Sequence, residues 1–174
     1  MRVFYFLITA LSLTIGGFAS PFIDPHTNMT LEVPEGFVLN EEESKFDQDD
    51  GIWWYEFSAP NESVLVVEVE RYSEYKDLTD HFHRALTDED EKIIFEGLEF
   101  KHLHVNGLEV SKCKVRALVL SETNSEPLYI YDYFFVYDGY GISVGLMKKD
   151  SELYDDAKVT TLMKTLLHSI SFKD

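Results

Sequence analysis

Gly141-Ile142-Ser143-Val144-Gly145 spells G-x-S-x-G, the pattern that serine hydrolases place at a nucleophile elbow. The elbow puts its serine at the apex of a sharp strand-to-helix turn, where the hydroxyl can reach an imidazole. Here Ile142, Val144 and Leu146 alternate through the motif as residues of a strand do, so a straight backbone and an inert Ser143 are expected. A serine hydrolase is the lesser alternative. The small residues Gly141, Ser143 and Gly145 are better read as leaving room for something large on a neighbouring strand or element.

His102 and His104 stand two apart on a predicted strand and share one face, and a turn at Asn106-Gly107 sets Glu109 opposite His104. Two imidazoles and a carboxylate, with Ser111 beside them, form a candidate zinc set, although histidines on a solvated strand face are common and spacing fixes no third strong ligand. His81 and His83 lie two apart on a predicted helix and point to different sides. Asp47-Gln48-Asp49-Asp50-Gly51 suggests a calcium loop, but with Gly51 at the sixth position Phe46 and Gln48 occupy places that require carboxylates. An irregular cation site using Asp47, Asp49 and Glu56 is left as the alternative to a solvated acidic turn.

Lys112, Lys114 and Arg116 alternate with Ser111, Cys113, Val115 and Ala117, which puts the three cations on one strand face. If the connection 121–127 closes symmetrically, Leu120 faces Leu128 and Arg116 faces Asp132, an ion pair beside small Gly145. Lys112, Lys114, Arg116 and Asp132 are thus the candidate contact set for a small anionic ligand or an acidic partner segment.

These residues need a sheet to hold them. Leu128 to Met147 consists of two aromatic and β-branched runs around Asp138-Gly139, a pair suited to a type I′ hairpin turn because both central residues need φ > 0. The pairs Tyr137–Tyr140, Phe135–Ile142, Tyr133–Val144 and Tyr131–Leu146 then share one face. Val136–Gly141, Phe134–Ser143, Asp132–Gly145 and Ile130–Met147 share the other. Both faces carry large apolar residues, so both call for cover.

The remaining elements follow from the same signals. A short strand ends at Val33-Pro34-Glu35-Gly36, 40–51 reads as a solvated acidic loop or poor strand, and Ile52–Ser58 with Val64–Tyr72 forms a hairpin. Leu78, Phe82, Ala85 and Leu86 recur at helical spacing over Glu74–Leu86. Ile93-Ile94-Phe95 is a short apolar piece, and Lys101–Val105 pairs with Leu108–Leu120. The final helix is capped at Asp150 or Ser151 and carries Leu153, Ala157, Val159, Leu162, Met163, Leu166, Leu167 and Ile170.

Arg2, the uncharged apolar run Val3–Ile15 and Gly17-Phe18-Ala19 read as a secretory signal peptide cleaved after Ala19. The expected organisation is a signal at 1–19 and one domain over 20–174, exported to a periplasmic or extracellular compartment. A membrane anchor is the alternative, but the run is shorter than the roughly 18 to 20 residues a span needs. Cys113 is the only cysteine, so no intramolecular disulfide forms and the fold rests on packing. Asn28 and Asn61 match the glycosylation acceptor pattern. A net charge of −17 repels phosphate backbones and anionic headgroups, which excludes nucleic-acid and peripheral-membrane roles. No P-loop or dinucleotide glycine pattern is present and no cofactor is implied.

Taken together, Val33-Pro34-Glu35-Gly36-Phe37, the mid-chain helix, the turn at Val105-Asn106-Gly107, the Tyr/Phe-rich hairpin and the closing His168-Ser169-Ile170-Ser171-Phe172 resemble the PsbP-like family. That family includes the extrinsic protein of photosystem II and the Ran-binding Mog-type protein. The resemblance spans Met29 to Phe172. It implies an α+β fold, an α/β/α sandwich around a central antiparallel sheet, and a binding or assembly role without catalysis. None of the family's functional residues can be matched here, so none is carried over.

Overall fold

The computed structural model describes residues 18–48, 51–60, 63–71, 92–120, 125–149 and 156–173. Eleven strands and one helix lie within them: β1 Phe18–Ile23, β2 Met29–Pro34, β3 Val38–Leu39, β4 Lys45–Asp47, β5 Ile52–Ser58, β6 Ser63–Arg71, β7 Lys92–Val105, β8 Leu108–Leu120, β9 Ser125–Tyr137, β10 Tyr140–Lys149, α1 Asp156–Ser169 and β11 Ser171–Phe172. They make a large antiparallel sheet, in the order β3-β5-β6-β10-β9-β8-β7 with β4 also on β5, and a small one, β1-β2-β11.

The aromatic hairpin forms as its residues demand. Asp138 (φ 46°) and Gly139 (φ 79°) are the turn, and Tyr137 pairs with Tyr140, Phe135 with Ile142, Tyr133 with Val144 and Tyr131 with Leu146. Asn106 (φ 52°) and Gly107 (φ 83°) make the β7–β8 turn in the same way. The β5–β6 hairpin is also as expected.

Three expectations are corrected or sharpened. Within 40–51, read as a loop or poor strand, β4 is a short strand that folds back onto β5, as β3 does just before it. Ser44 holds that return: its hydroxyl donates to the Asn40 carbonyl at 2.8 Å and accepts the Glu56 amide at 3.1 Å. Ile93-Ile94-Phe95 belongs to the 14-residue β7, whose register shifts between Glu96 and Glu99. The third correction concerns the β8–β9 register. Arg116 faces Tyr129, Leu118 faces Pro127 and Cys113 faces Asp132.

The expected Arg116–Asp132 pair therefore does not exist. The slip is an odd number of residues, which sends Asp132 to the face opposite the three cations. β9 begins at Ser125, so Pro127, expected in the loop, lies within the strand. Pro127 stands beyond the last β9–β10 pair, Leu128–Lys149, where only β8 flanks it and a missing N–H is tolerated.

One face of the large sheet packs on α1 and the small sheet. Leu65, Val67, Val69, Tyr131, Tyr133, Phe135, Ile142, Val144 and Leu146 meet Met163, Leu166, Leu167 and Ile170 from the helix end and Met29, Leu31 and Val33 from β2, all buried. Asp24 ties the two sheets at one corner. It is fully buried, one carboxylate oxygen accepts from the Thr27 amide (2.7 Å) and hydroxyl (2.6 Å), and the other accepts the Tyr55 hydroxyl at 3.0 Å. Burial and then the Asp24 charge hold the Tyr55 hydroxyl well above the usual phenol range. The described molecule is mainly antiparallel sheet with one helix, so the helical share is smaller than an α/β/α sandwich implies. The helix expected over 74–86, the cap at Asp150 or Ser151 and Asn61 lie outside the described residues.

Candidate functional site

Side-chain alternation gives the large sheet a far face, turned away from α1. It carries Phe100, His102 and His104 from β7, Glu109, Ser111 and Cys113 from β8, Phe134 and Val136 from β9, and Gly141 and Gly145 from β10. At its centre Asp132 (5 % exposed) and Ser143 (7 % exposed) form a closed pair. The Ser143 hydroxyl lies 2.8 Å from each Asp132 oxygen. Ser143 is the diagonal neighbour of Asp132, whose direct partner on β10 is Gly145.

Gly145 is small for a visible reason: a Cβ there would meet the Asp132 carboxylate oxygen at 3.2 Å. The sequence alone suggests large residues on the partner strand or an overlying element across these small ones; Phe134 and Val136 do stand across from Ser143 and Gly141, whereas across from Gly145 the structure seats a carboxylate. Burial lifts the Asp132 carboxyl to about 7, opposed by the bonds it accepts from Ser143 and the Tyr133 amide. Beside it Cys113 is fully buried, and burial followed by the Asp132 charge pushes its thiol up to about 12. A thiol held that high is a poor nucleophile. Ser143 sits mid-strand and not at an elbow, and among the described residues its hydroxyl bonds only Asp132.

Sequence reasoning placed Asp132 opposite Gly145 and Ser143 opposite Phe134, so the Ser143–Asp132 pair was within its reach through the diagonal rule. It missed Cys113, because that contact depends on the β8–β9 register.

The candidate metal residues come together only in pairs. His104 Nδ1 lies 2.8 Å from Glu109 Oε1, and Ser111 Oγ lies 3.2 Å from His102 Nδ1, all of them at the solvated end of the far face. Among the described residues no group of three His, Cys, Asp or Glu side chains is placed to hold a metal ion.

The basic residues are on the helix-side face, in register with the tyrosines: Lys112 opposite Tyr133, Lys114 opposite Tyr131 and Arg116 opposite Tyr129. The Lys112 ammonium stands 4.6 Å from the centre of the Tyr131 ring. Across the other flank β7 sets Glu99 opposite Lys114 and Glu96 opposite Arg116, and Lys101 opposite Lys112. Lys101 and Glu99 approach to 3.9 Å.

A groove of about 560 Å³ lies where the tips of the β7–β8 and β9–β10 hairpins meet. His102, Glu109, Ser111, Phe134, Val136 and Asp138 are among its lining. The β8–β9 ladder ends at Val110–Phe135, although β8 begins two residues earlier at Leu108 and β9 runs two residues further to Tyr137. The strands part there, and the parting makes the groove.

The chain as a whole superposes on solved structures. The solution structure of cyanobacterial PsbP (CyanoP) from Synechocystis sp. PCC 6803 superposes with a TM-score of 0.62 at 17% identity, covering 92% of this chain and 96% of that one. The fold is PsbP-like. The crystal structure of PA94, a protein of unknown function from Pseudomonas aeruginosa, matches with a TM-score of 0.50 at 13% identity, over 79% of this chain and 98% of that one. No family model matches the sequence and no curated protein matches it. At such identities the likeness shows the fold alone. No helix among the described residues is long and apolar enough to cross a membrane.

Proposed function

We propose that the protein is a non-catalytic binding or accessory module that acts after export, in a periplasmic or extracellular compartment. The carrying observation is the Ser143–Asp132 pair, since the one serine that a catalytic motif singles out spends its hydroxyl on a buried carboxylate in mid-strand. The fold shared with PsbP supports the reading. Burial of Cys113, Val115 and Phe134 on the far face supports its architectural part, a sandwich covered on both faces.

Export rests on the leader pattern, Arg2 followed by Val3–Ile15 and Gly17-Phe18-Ala19. Cleavage after Ala19 is compatible with the fold, because the β1–β2 ladder is irregular between Phe18 and Ser20 and regular from Ser20 to Ile23. In this reading Lys112, with Lys114 and Arg116 behind it, receives an anionic group or an acidic partner segment. Asp132, on the other face, takes no part.

A broad serine-reactive phosphonate probe tests the non-catalytic reading. The purified protein is expected to stay unlabelled, and labelling that disappears in Ser143→Ala would overturn it. Replacing Lys112 and Lys114 by Glu is expected to abolish capture of the partner from the native host, and unchanged capture would discard the basic strip.

A further inference from the structure

We propose that the groove between the hairpin tips docks an extended, basic and apolar segment of a partner protein. The proposal rests on the binding-module reading and adds to it a second site, on the face opposite the basic strip and for a segment of opposite charge. Three features of the groove carry it.

The first is the parted ladder. β8 and β9 each run two residues past Val110–Phe135, the last pair of their ladder; Leu108 and Tyr137 spend their backbone groups within their own hairpins, so the next pair, Glu109 and Val136, is the one with a ladder bond left to make beside the groove. Strand ends left open in this way accept an incoming extended chain, as sheet edges do in β-strand addition.

The second is the lining. Val136 is 44 % exposed because its neighbour across β10 is Gly141, which has no side chain to cover it, and Phe134 lies beside it. The rim carries the carboxylates of Glu109, one oxygen of which meets His104, and Asp138, both exposed, and among the described residues His102 but no lysine or arginine lines the groove. An apolar floor under an acidic rim selects a segment that presents an apolar side chain flanked by cations. A chain with a net charge of −17 also draws such a segment in at long range.

The third is rigidity. The Asn106 side chain at one tip donates to the His168 carbonyl at the end of α1 (3.3 Å), and Tyr137 near the other tip stacks on Phe172 of β11 with ring centres 3.5 Å apart. Both walls are thus braced by the C-terminal elements, which lowers the ordering cost of binding.

Titration of the full chain with three fluorescent peptides tests this: alternating Lys/Leu, alternating Lys/Ser and alternating Glu/Leu. The Lys/Leu peptide is expected to bind, the Lys/Ser peptide about tenfold or more weakly and the Glu/Leu peptide not at all. Glu109→Gln with Asp138→Asn should weaken Lys/Leu binding about tenfold, and Val136→Lys at least as much, whereas Glu41→Gln with Glu42→Gln, far from the groove, should leave it unchanged. Asn suits the turn position of Asp138, and Val136 is partly solvated, so these variants keep the hairpin. Failure of the Lys/Leu peptide to bind overturns the docking site. So does equal weakening by the distant pair, which would assign binding to the general field of the protein. Neither result touches the non-catalytic reading, which stands or falls on the serine probe.

Discussion

The two faces of the β9–β10 hairpin share one backbone and meet burial in opposite ways. On the helix-side face Tyr131, Tyr133 and Phe135 stand across from Leu146, Val144 and Ile142 and fill space against Met163 and Leu166. The two tyrosine hydroxyls meet each other at 3.4 Å, and burial, reinforced by Tyr131, holds Tyr133 well above the usual phenol range. On the far face the same alternation buries Asp132, whose carboxylate needs a hydroxyl from Ser143 and the vacancy above Gly145. Volume decides the first face. Protonation and one specific partner decide the second.

Leu166→Ala tests the volume-driven face and carries the largest expected effect. Leu166 is fully buried, so its truncation should cost about 2–5 kcal/mol in denaturant unfolding, by similar amounts at pH 5 and pH 8 because no charge is involved. A strongly pH-dependent loss would mean that the two faces are not separable.

Asp132→Asn tests the far face. The folded carboxyl titrates at about 7 against an ordinary value of 3.8, so between these values the folded state holds more protons than the unfolded one. Stability from this group is therefore greatest near pH 4, falls as pH rises through the window and is level above about 7. The wild type should lose on the order of a few kcal/mol more than Asp132→Asn between pH 4 and pH 8. Parallel melting curves for the two proteins across that range would refute the buried-carboxylate account.

Ser143→Ala removes the donor and should destabilise the fold by about 1–3 kcal/mol at pH 8 and less at pH 4, where Asp132 is neutral. Gly145→Ala sharpens the same contrast at smaller scale. Its Cβ would crowd the carboxylate at 3.2 Å, so a loss of about 1 kcal/mol is expected, and most of it should vanish in an Asp132→Ala background, where the crowded atoms are gone, but persist in Asp132→Asn, which keeps them.

Much of this was legible in the residues. Asp138-Gly139 and Asn106-Gly107 announced their turns, and every β9–β10 pair from Tyr137–Tyr140 to Ile130–Met147 followed by counting. The strand character of the G-x-S-x-G segment was legible for the same reason. The partners of Arg116 and Asp132 across β8 and β9 were not. They depend on how far β8 and β9 continue around 121–124, and no turn dipeptide there sets the count. The small sheet was missed as well, since β1 and β11 contribute six and two residues and are strands only because β2 lies between them.

By itself the sequence determined what short-range physics governs: which dipeptides accept positive φ, where side chains alternate, and a charge of −17 that turns polyanions away. Tertiary structure decided the rest. It set Cys113 and not Arg116 beside Asp132, parted β8 from β9 at Val110–Phe135, and braced the parted tips on His168 and Phe172. The reason is one of range. A turn is settled by the backbone of two residues, whereas a register across an open connection is settled by the packing of every side chain on both strands, and a shift by an odd number exchanges their faces.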